Sequence, residues 1–471
     1  MTKAFTLCLV TLACSAACAQ DEPVQDLPLR SESAETIVAD LEAFIPLRMA
    51  EEGVTGLSVA LISDNRIVWR QGYGRVNSLL GGSVDTETVF SAASLGKAVS
   101  AYAAMSLVAD STLELDQSLR SYLRRPWVPE SMHHNAISLR HVLTHTSGLS
   151  NFLRDEAKEL KFEPGSEFSY SGVGFMYMQA VLEHVSSVSL DELARRKVFT
   201  PLEMDHSFFG RPIEPAESIS HGHVAFGRAI APFLVIFLPS FVVLLIGASL
   251  FARLRGSWRP TLPLTIASVV IASIGTFLFL EAKAGGAILA TYFTFCGSLI
   301  TALWIGAMLI GRRVLRRQSP TKRQILFAAW GLASAALLLL ALRNVPAPLP
   351  NWFPDEGNAA SSLRSTPSDL ANFLIELSTA GHLDSTFATQ MVEAQVMANE
   401  HVSWGLGVGI QHSEYGESLW HWGSNPGSKN LMVIYPEQGV GIVVLSNSSN
   451  ASDLVVEIAS RALGGKAHWD T

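Results

Sequence analysis

Apolar positions recur along most of this chain with helical or strand spacing, and in one long stretch they run almost unbroken. From Ser33 to Glu52, the residues Ile37, Leu41, Phe44, Ile45 and Met49 fall at helical intervals, which predicts an amphipathic helix with Pro46 as a kink or break. Leu57 to Ile62 and Ile67 to Tyr73 read as strands of a hairpin joined by Ser63-Asp64-Asn65. A helical pattern follows Phe90 through Leu107. Leu139 to His145 is a further short helix, closed by the turn Thr146-Ser147-Gly148-Leu149. Pro164-Gly165 marks a turn before Phe168 to Phe175, which leads into a helix over Met176 to Val188. Near the end of the chain, Ser365 or Thr366 caps a helix with Pro367 in its first turn. Strands then succeed one another over Gly405 to Gln411, Ser418 to Trp422, Leu431 to Tyr435 and Val440 to Asn447, before a last helix from Asp453 to Leu463. Strands and helices at both ends, enclosing a helical middle, predict an α/β sandwich: one antiparallel sheet assembled from both ends, with helices on its faces.

The unbroken apolar stretch lies between Arg228 and Arg343. It divides into Ala229 to Phe251, Leu262 to Leu280, Ala284 to Ile310 and Ile325 to Leu342. Each segment has roughly the 20 residues that a helix needs to cross the hydrocarbon core, so the expectation is a four-span insert over 228–343. Arg253, Arg255 and Arg259 fill the first connecting loop, and Arg312, Arg313, Arg316, Arg317, Lys322 and Arg323 fill the third. The positive-inside rule makes those two loops cytoplasmic and turns both ends of the insert outward. The start of the chain agrees with that orientation. Lys3, the apolar run Phe5 to Ala13 and Ala17-Cys18-Ala19 before Gln20 read as a signal peptide over 1–19. Cys18 also permits a lipoprotein reading, although Ser15-Ala16-Ala17 lacks the usual aliphatic residue. The expectation is therefore a multi-pass inner-membrane protein, held in the lipid bilayer by four spans, with 20–227 and 344–471 forming one discontinuous domain on the periplasmic or extracytoplasmic side.

Charge sharpens this division. The net charge is −8, yet the insert holds 12 of the 34 Lys+Arg and only one of the 42 acids, Glu281. The remainder is strongly acidic, which argues against nucleic acid as a partner. The four cysteines are Cys8, Cys14, Cys18 and Cys296, so the two flanking halves offer neither a disulfide framework nor a thiolate metal site.

Candidate chemistry centres on Ser94 and Lys97. Three residues apart on a helix, they share a face. Ser94 stands at the helix N-terminus, where free N–H groups and the dipole favour developing negative charge. A lysine in that position can relay the hydroxyl proton, activating a serine without histidine. Taken alone the spacing is common. His141 and His145, four apart, imitate a metal pair, but no Glu follows His141 as in H-E-x-x-H, and a structural role accounts for them. His221 and His223 read as lining or capping a cleft, and no metal or cofactor is implied. G-x-S-x-G is absent, since Ser424 in Gly423-Ser-Asn-Pro-Gly427 is one place out of register, which removes the α/β-hydrolase reading.

The order of motifs resembles the serine β-lactamase and penicillin-binding-protein superfamily, and within it the class C branch. Ser94-Leu-Gly-Lys97 is similar to the first motif, and Leu143-Thr-His-Thr-Ser-Gly-Leu149 to a downstream signature. Tyr170-Ser171-Gly172 matches Y-x-N in part. Leu363-Arg-Ser-Thr-Pro-Ser-Asp369 and Trp404-Gly-Leu-Gly407 match further segments, and His421-Trp422-Gly423 matches the third motif, [K/H]-x-G. The resemblance implies an antiparallel sheet flanked by helices plus an all-helical domain, with acyl transfer through a covalent acyl-enzyme. It implies Ser94 as nucleophile, Lys97 and Tyr170 as the proton relay, with the ammonium lowering the phenol's pKa. His421 would shape the strand edge and orient the substrate or the relay, and the backbone N–H groups of Ser94 and Ser424 would form the oxyanion hole. Gly172, Trp422 and Gly423 would line the substrate site. Gly172 departs from the usual Asn, which favours simple esters or other amides over β-lactams, and Trp422 in place of a small residue would give one wall an aromatic ring.

The expected function is a membrane-anchored serine hydrolase acting on an ester or amide of a small molecule or peptide. The alternatives are a D-alanyl-D-alanine carboxypeptidase acting on cell-wall peptides, slightly favoured by His421 over a true β-lactamase, and a sensor acylated once without turnover.

Overall fold

The computed structural model describes residues 30–152, 159–210, 219–225, 346–349, 357–465 and 467–469. The first half supplies α1 (Ala34–Glu52), the hairpin β1 (Gly56–Ser63) and β2 (Arg66–Asn77), β3 (Gly81–Ser83), β4 (Phe90–Ala93) and α2 (Leu95–Ala109). The short helices α3 (Met132–Asn135) and α4 (Leu139–Leu143) follow, then α5 (Gly172–Ser186), α6 (Leu190–Ala194), β5 (Phe208–Phe209) and β6 (His223–Ala225). The second half supplies β7 (Pro346–Pro348), β8 (Leu363–Ser365), α7 (Pro367–Thr379), α8 (Ser385–Val392), β9 (Val396–Met397), β10 (Val402–Trp404), β11 (Gly409–Ser413), β12 (Gly416–Asn425), β13 (Ser428–Tyr435), β14 (Val440–Ser446) and α9 (Ser452–Leu463).

Local chemistry accounts for the helix ends. The Ser33 hydroxyl accepts from the backbone N–H of Thr36, and Gly53 closes α1 in the left-handed region, so Pro46 is accommodated inside one continuous helix. Thr366 caps α7, with Pro367 in its first turn as the sequence predicts. Ser171 caps α5, which begins four residues before its expected start.

Nine strands form one antiparallel sheet in the order β3-β2-β1-β14-β13-β12-β11-β10-β9. The join between the two halves is the β1–β14 pair, in register from Leu57↔Ser446 to Ile62↔Gly441. Both faces are covered. Leu57, Val59 and Leu61 of β1 and Ile442 and Val444 of β14 pack with α1 and α9. The alternate residues Ala60, Ile62, Val443 and Leu445 pack with α2, α5 and α7. Burial on both faces explains why β14 reads as a nearly continuous apolar run rather than an alternating one. Each fully buried Val, Leu or Ile contributes about 1.5–3 kcal/mol, so the sheet is rigid where the two halves meet. The mixed α/β architecture with one sheet shared by both ends is the one expected.

The membrane part of the expectation is corrected. Among the described residues no helix is long and apolar enough to cross a membrane. The four-helix transmembrane insert, the bilayer contact through four spans and the multi-pass inner-membrane placement are therefore withdrawn. The segments that carried those expectations, within 229–342, lie outside the described residues, as do the signal-peptide segment and all four cysteines. On either side of that stretch, β6 pairs with β7 through Ala225↔Pro346, so the chain leaves and re-enters the described fold at one place.

One buried carboxylate braces the helix that follows β4. Glu376 of α7 is 4% exposed. It accepts from the Tyr102 hydroxyl of α2 at 2.7 Å and from the backbone N–H groups of Gly381, His382 and Leu383, each at 3.0 Å. Burial opposes the charge, but these bonds outweigh it and hold the carboxyl below its ordinary value of 4.5. A lowered folded value means that the stabilisation is present above the unfolded pKa and is lost as pH falls through the folded one. Glu376→Ala is expected to lower stability by about 2–4 kcal/mol near neutral pH. The denaturant midpoint should show it, with the gap to wild type narrowing under acid conditions.

Candidate active site

The turn from β4 into α2 presents Ser94. β4 pairs with β8 irregularly between Ser91 and Ala93, and Ala93 takes φ 54°, a left-handed conformation that costs a non-glycine residue about 1–3 kcal/mol. Ser94 starts α2 but is itself helical, with φ −67° and ψ −10°, and its hydroxyl caps nothing. The hydroxyl turns instead to other partners. Lys97 Nζ donates to Ser94 Oγ at 3.1 Å and to the Ala360 carbonyl at 2.6 Å, and Ser94 Oγ lies 3.3 Å from the same carbonyl. Lys97 is 2% exposed, and no carboxylate among the described residues forms an ion pair with it. Desolvation alone brings its pKa down from 10.5 to about 7.

Tyr170 directly precedes the Ser171 cap of α5. Its phenol is close enough to Ser94 for the hydroxyl to favour the ionised form, and Lys97 Nζ stands 4.8 Å from its ring centroid. The expectation that Lys97 lowers the phenol's pKa is not met. Burial raises it, and the contact with Ser94 offsets only part of that rise. Tyr170 is therefore a phenol, not a phenolate, at neutral pH.

His421 lies where β12 has run past the end of β11, whose last partner on that side is Trp420 opposite Gly409. Its Nδ1 donates to the Trp422 carbonyl at 2.7 Å, and its ring centroid is 6.1 Å from that of Tyr170. Burial, followed by the charge of Lys97, drives its pKa down to about 3, so the imidazole is neutral.

The strand edge beyond His421 touches the residues just before the nucleophile. A Cβ on Gly423 would come 2.2 Å from the Ala92 carbonyl oxygen, so only glycine permits this approach. Ser424 follows it, with its hydroxyl accepting from Lys429 Nζ at 2.9 Å. Asn430, fully buried on β13, fastens the junction: its amide donates to the carbonyls of Ser91 and Gly423 at 2.9 and 3.2 Å and accepts from the Ser446 N–H at 3.1 Å. Gly423→Ala should drive this edge away from Ser94. An ångström of displacement costs about 10²-fold in rate, so kcat/KM should fall by about that factor while circular dichroism stays unchanged.

Gly172 also has a steric reason. Its N–H donates to Asn151 Oδ1 at 3.1 Å, and a Cβ there would lie 2.5 Å from the Asn151 carbonyl oxygen. The place that the second motif usually fills with Asn is thus closed by Asn151. Trp422 packs with the cluster around α1 and α9 and donates its indole N–H to the Trp469 carbonyl. That tie to the C-terminal segment, rather than a wall of the cleft, is what its ring makes.

Ser94, Lys97, Tyr170 and His421 are therefore brought together. The sequence pattern did not reveal Ala360, which acts through a backbone carbonyl, or Asn430, whose only signal is a polar residue in the strand Asn-Leu-Met-Val-Ile-Tyr. Three of the histidines singled out in the sequence, His141, His221 and His223, bond to backbone, His221 Nδ1 to the Leu349 carbonyl. His141 Nδ1 accepts from the Ser138 N–H, and His223 accepts from Ser78 and meets the Asn447 carbonyl. Among the described residues no group of three or more His, Cys, Asp or Glu is placed to hold a metal.

The family model described as Beta-lactamase matches residues 41–240 and 327–466, more than half of the chain. The chain belongs to the beta-lactamase family. Among curated proteins it is similar to an uncharacterized protein of Alkalihalophilus pseudofirmus, 27% identical over 152 residues, which is 32% of this chain and 43% of that protein. The chain thus spans less than half the length of the curated relatives it matches first. Among solved structures it is similar to the D-amino acid amidase from Ochrobactrum anthropi SV3 complexed with L-phenylalanine amide, at 17% identity and TM-score 0.58 over 91% of this chain and 97% of that one. A class C beta-lactamase is equally similar, at 15% identity and TM-score 0.58 over 92% and 97%. At these identities the likeness is one of fold, the beta-lactamase and penicillin-binding-protein type.

Proposed function

We propose that the chain is a serine hydrolase that cleaves an ester or amide through an acyl-enzyme on Ser94. Family membership supports a hydrolase in general. The observation that carries the finer reading is the contact between a half-buried serine hydroxyl and a fully buried lysine at 3.1 Å. With a pKa near 7, Lys97 is substantially a neutral amine at physiological pH, and its lone pair then faces the Ser94 hydroxyl proton. Tyr170, held protonated by burial, is suited to donate its proton to the leaving group and recover it from Lys97. The amine takes the Ser94 proton, the Oγ–C bond forms, and the leaving group departs with the phenolic proton. Water then attacks the acyl-enzyme by the reverse relay. The backbone N–H groups of Ser94 and Ser424 are the candidate donors to the oxyanion.

His421 bears on the substrate. A neutral imidazole provides no cation for the terminal carboxylate of a peptide. The cation at this edge is Lys429, bonded to the Ser424 hydroxyl, and His421 itself does not favour a D-alanyl-D-alanine carboxypeptidase substrate over an uncharged ester or amide. Labelling with a fluorophosphonate probe tests the reading. Wild type should label and turn over p-nitrophenyl esters repeatedly, and Ser94→Ala should do neither. Labelling that persists in Ser94→Ala would end the assignment, and release of a single equivalent of product would favour a sensor over a hydrolase.

A further inference from the structure

His145 is fully buried, sits in the turn between α4 and the loop leading to Tyr170, and takes no part in the chemistry above. Its backbone carbonyl accepts the Ser169 N–H at 2.9 Å. Its Nδ1 accepts the Ser171 N–H at 3.0 Å. These two bonds grip the chain on both sides of Tyr170. The imidazole also lies against the Tyr170 ring, with centroids 4.2 Å apart and planes inclined by 37°, and it is backed by Phe175 at 5.3 Å and Trp404 at 5.1 Å. Each contact fixes a different freedom: the bonds set the height of the backbone, and the ring sets the swing of the phenol.

The grip requires one tautomer. Nδ1 must carry a lone pair, so the proton resides on Nε2, which has no hydrogen-bond partner among the described residues. An unsatisfied buried donor costs about 1–3 kcal/mol. The backbone is in the left-handed region as well, at φ 56°. Two local penalties at one fully buried residue are hard to reconcile with a role in stability alone.

We propose that His145 is a positioning residue that fixes Tyr170 against Ser94 through its Nδ1 acceptor. The proposal rests on the reading of Tyr170 as the proton donor in acyl transfer. The same geometry removes His145 as a general base or metal ligand through Nδ1, because that lone pair is already used.

The test is a set of variants assayed for ester hydrolysis, each checked for folding by thermal melting. His145→Phe keeps an aromatic ring and removes the acceptor. It should lower kcat by about 10–100-fold with little change in KM. His145→Asn returns an acceptor oxygen near the Nδ1 position and tolerates a positive φ, so it should recover most of the rate. In the Tyr170→Phe background, His145→Phe should add almost nothing, because the residue acts through the phenol. Wild-type rates in His145→Phe, no recovery in His145→Asn, or additive losses in the double variant would each overturn the proposal. If His145→Phe does not fold, a folded and active His145→Asn still supports it, and an inactive one overturns it. A slow Tyr170→Phe beside an unimpaired His145→Phe removes only the role of His145. A fully active Tyr170→Phe removes the relay together with it.

Discussion

Ser94→Ala is expected to leave a folded protein whose ester hydrolysis is lower by about 10³–10⁶-fold. The fold should survive because the Ser94 hydroxyl caps no helix and its partners among the described residues are the Lys97 amine and the Ala360 carbonyl. Its loss removes no buried apolar contact and leaves the α2 backbone as it was. Steady-state rates on an activated ester, beside an unchanged melting temperature, would show both halves of the expectation. A variant retaining a tenth of the activity would mean that another nucleophile carries the reaction.

The second large effect is at Lys97. Lys97→Met, close in volume and without the amine, should lower kcat/KM by about 10²–10⁴-fold, the range for loss of a general base. The pH profile gives the sign. The amine accepts a proton only when neutral, so wild-type kcat/KM should rise with pH through about 7 and level off above it. The rise should vanish in Lys97→Met. With pH, stability should move the same way as activity, whereas the substitution should move the two in opposite directions. In the folded state Lys97 sheds its proton near pH 7, whereas in the unfolded chain it keeps it to about 10.5. Over that window the unfolded state binds more protons, so the wild type gains stability as pH rises. Lys97→Met has no ammonium to desolvate and should be the more stable protein at neutral pH, with a flatter dependence. An active site that costs stability is a common bargain in enzymes.

What the sequence revealed and what it concealed follow from the scale of the interaction. The sheet was legible because its strands carry local signals, and the shared sheet followed from strands at both ends. The contact between Ser94 and Lys97 was legible because it spans three residues on one helix. Tyr170 and His421 came from the order of motifs, but their protonation did not: that depends on desolvation by distant residues. The expectation of a phenol acidified by lysine failed because burial of the phenol itself raises its pKa by more than the contact with Ser94 lowers it. Gly172 and Gly423 looked like departures or fixtures of a motif. In three dimensions they are close approaches to the carbonyls of Asn151 and Ala92, which no linear pattern announces. The membrane reading rested on hydropathy between 229 and 342, and no described helix carries it.

The direct test of acyl transfer at Ser94 is to quench the protein with acid during turnover of a slow ester and map the acyl mass by peptide mass spectrometry. The account predicts the added mass on the peptide containing Ser94 in the wild type, lost in Ser94→Ala. An adduct on another residue, or steady hydrolysis with no adduct while Ser94→Ala turns over at the wild-type rate, would contradict it.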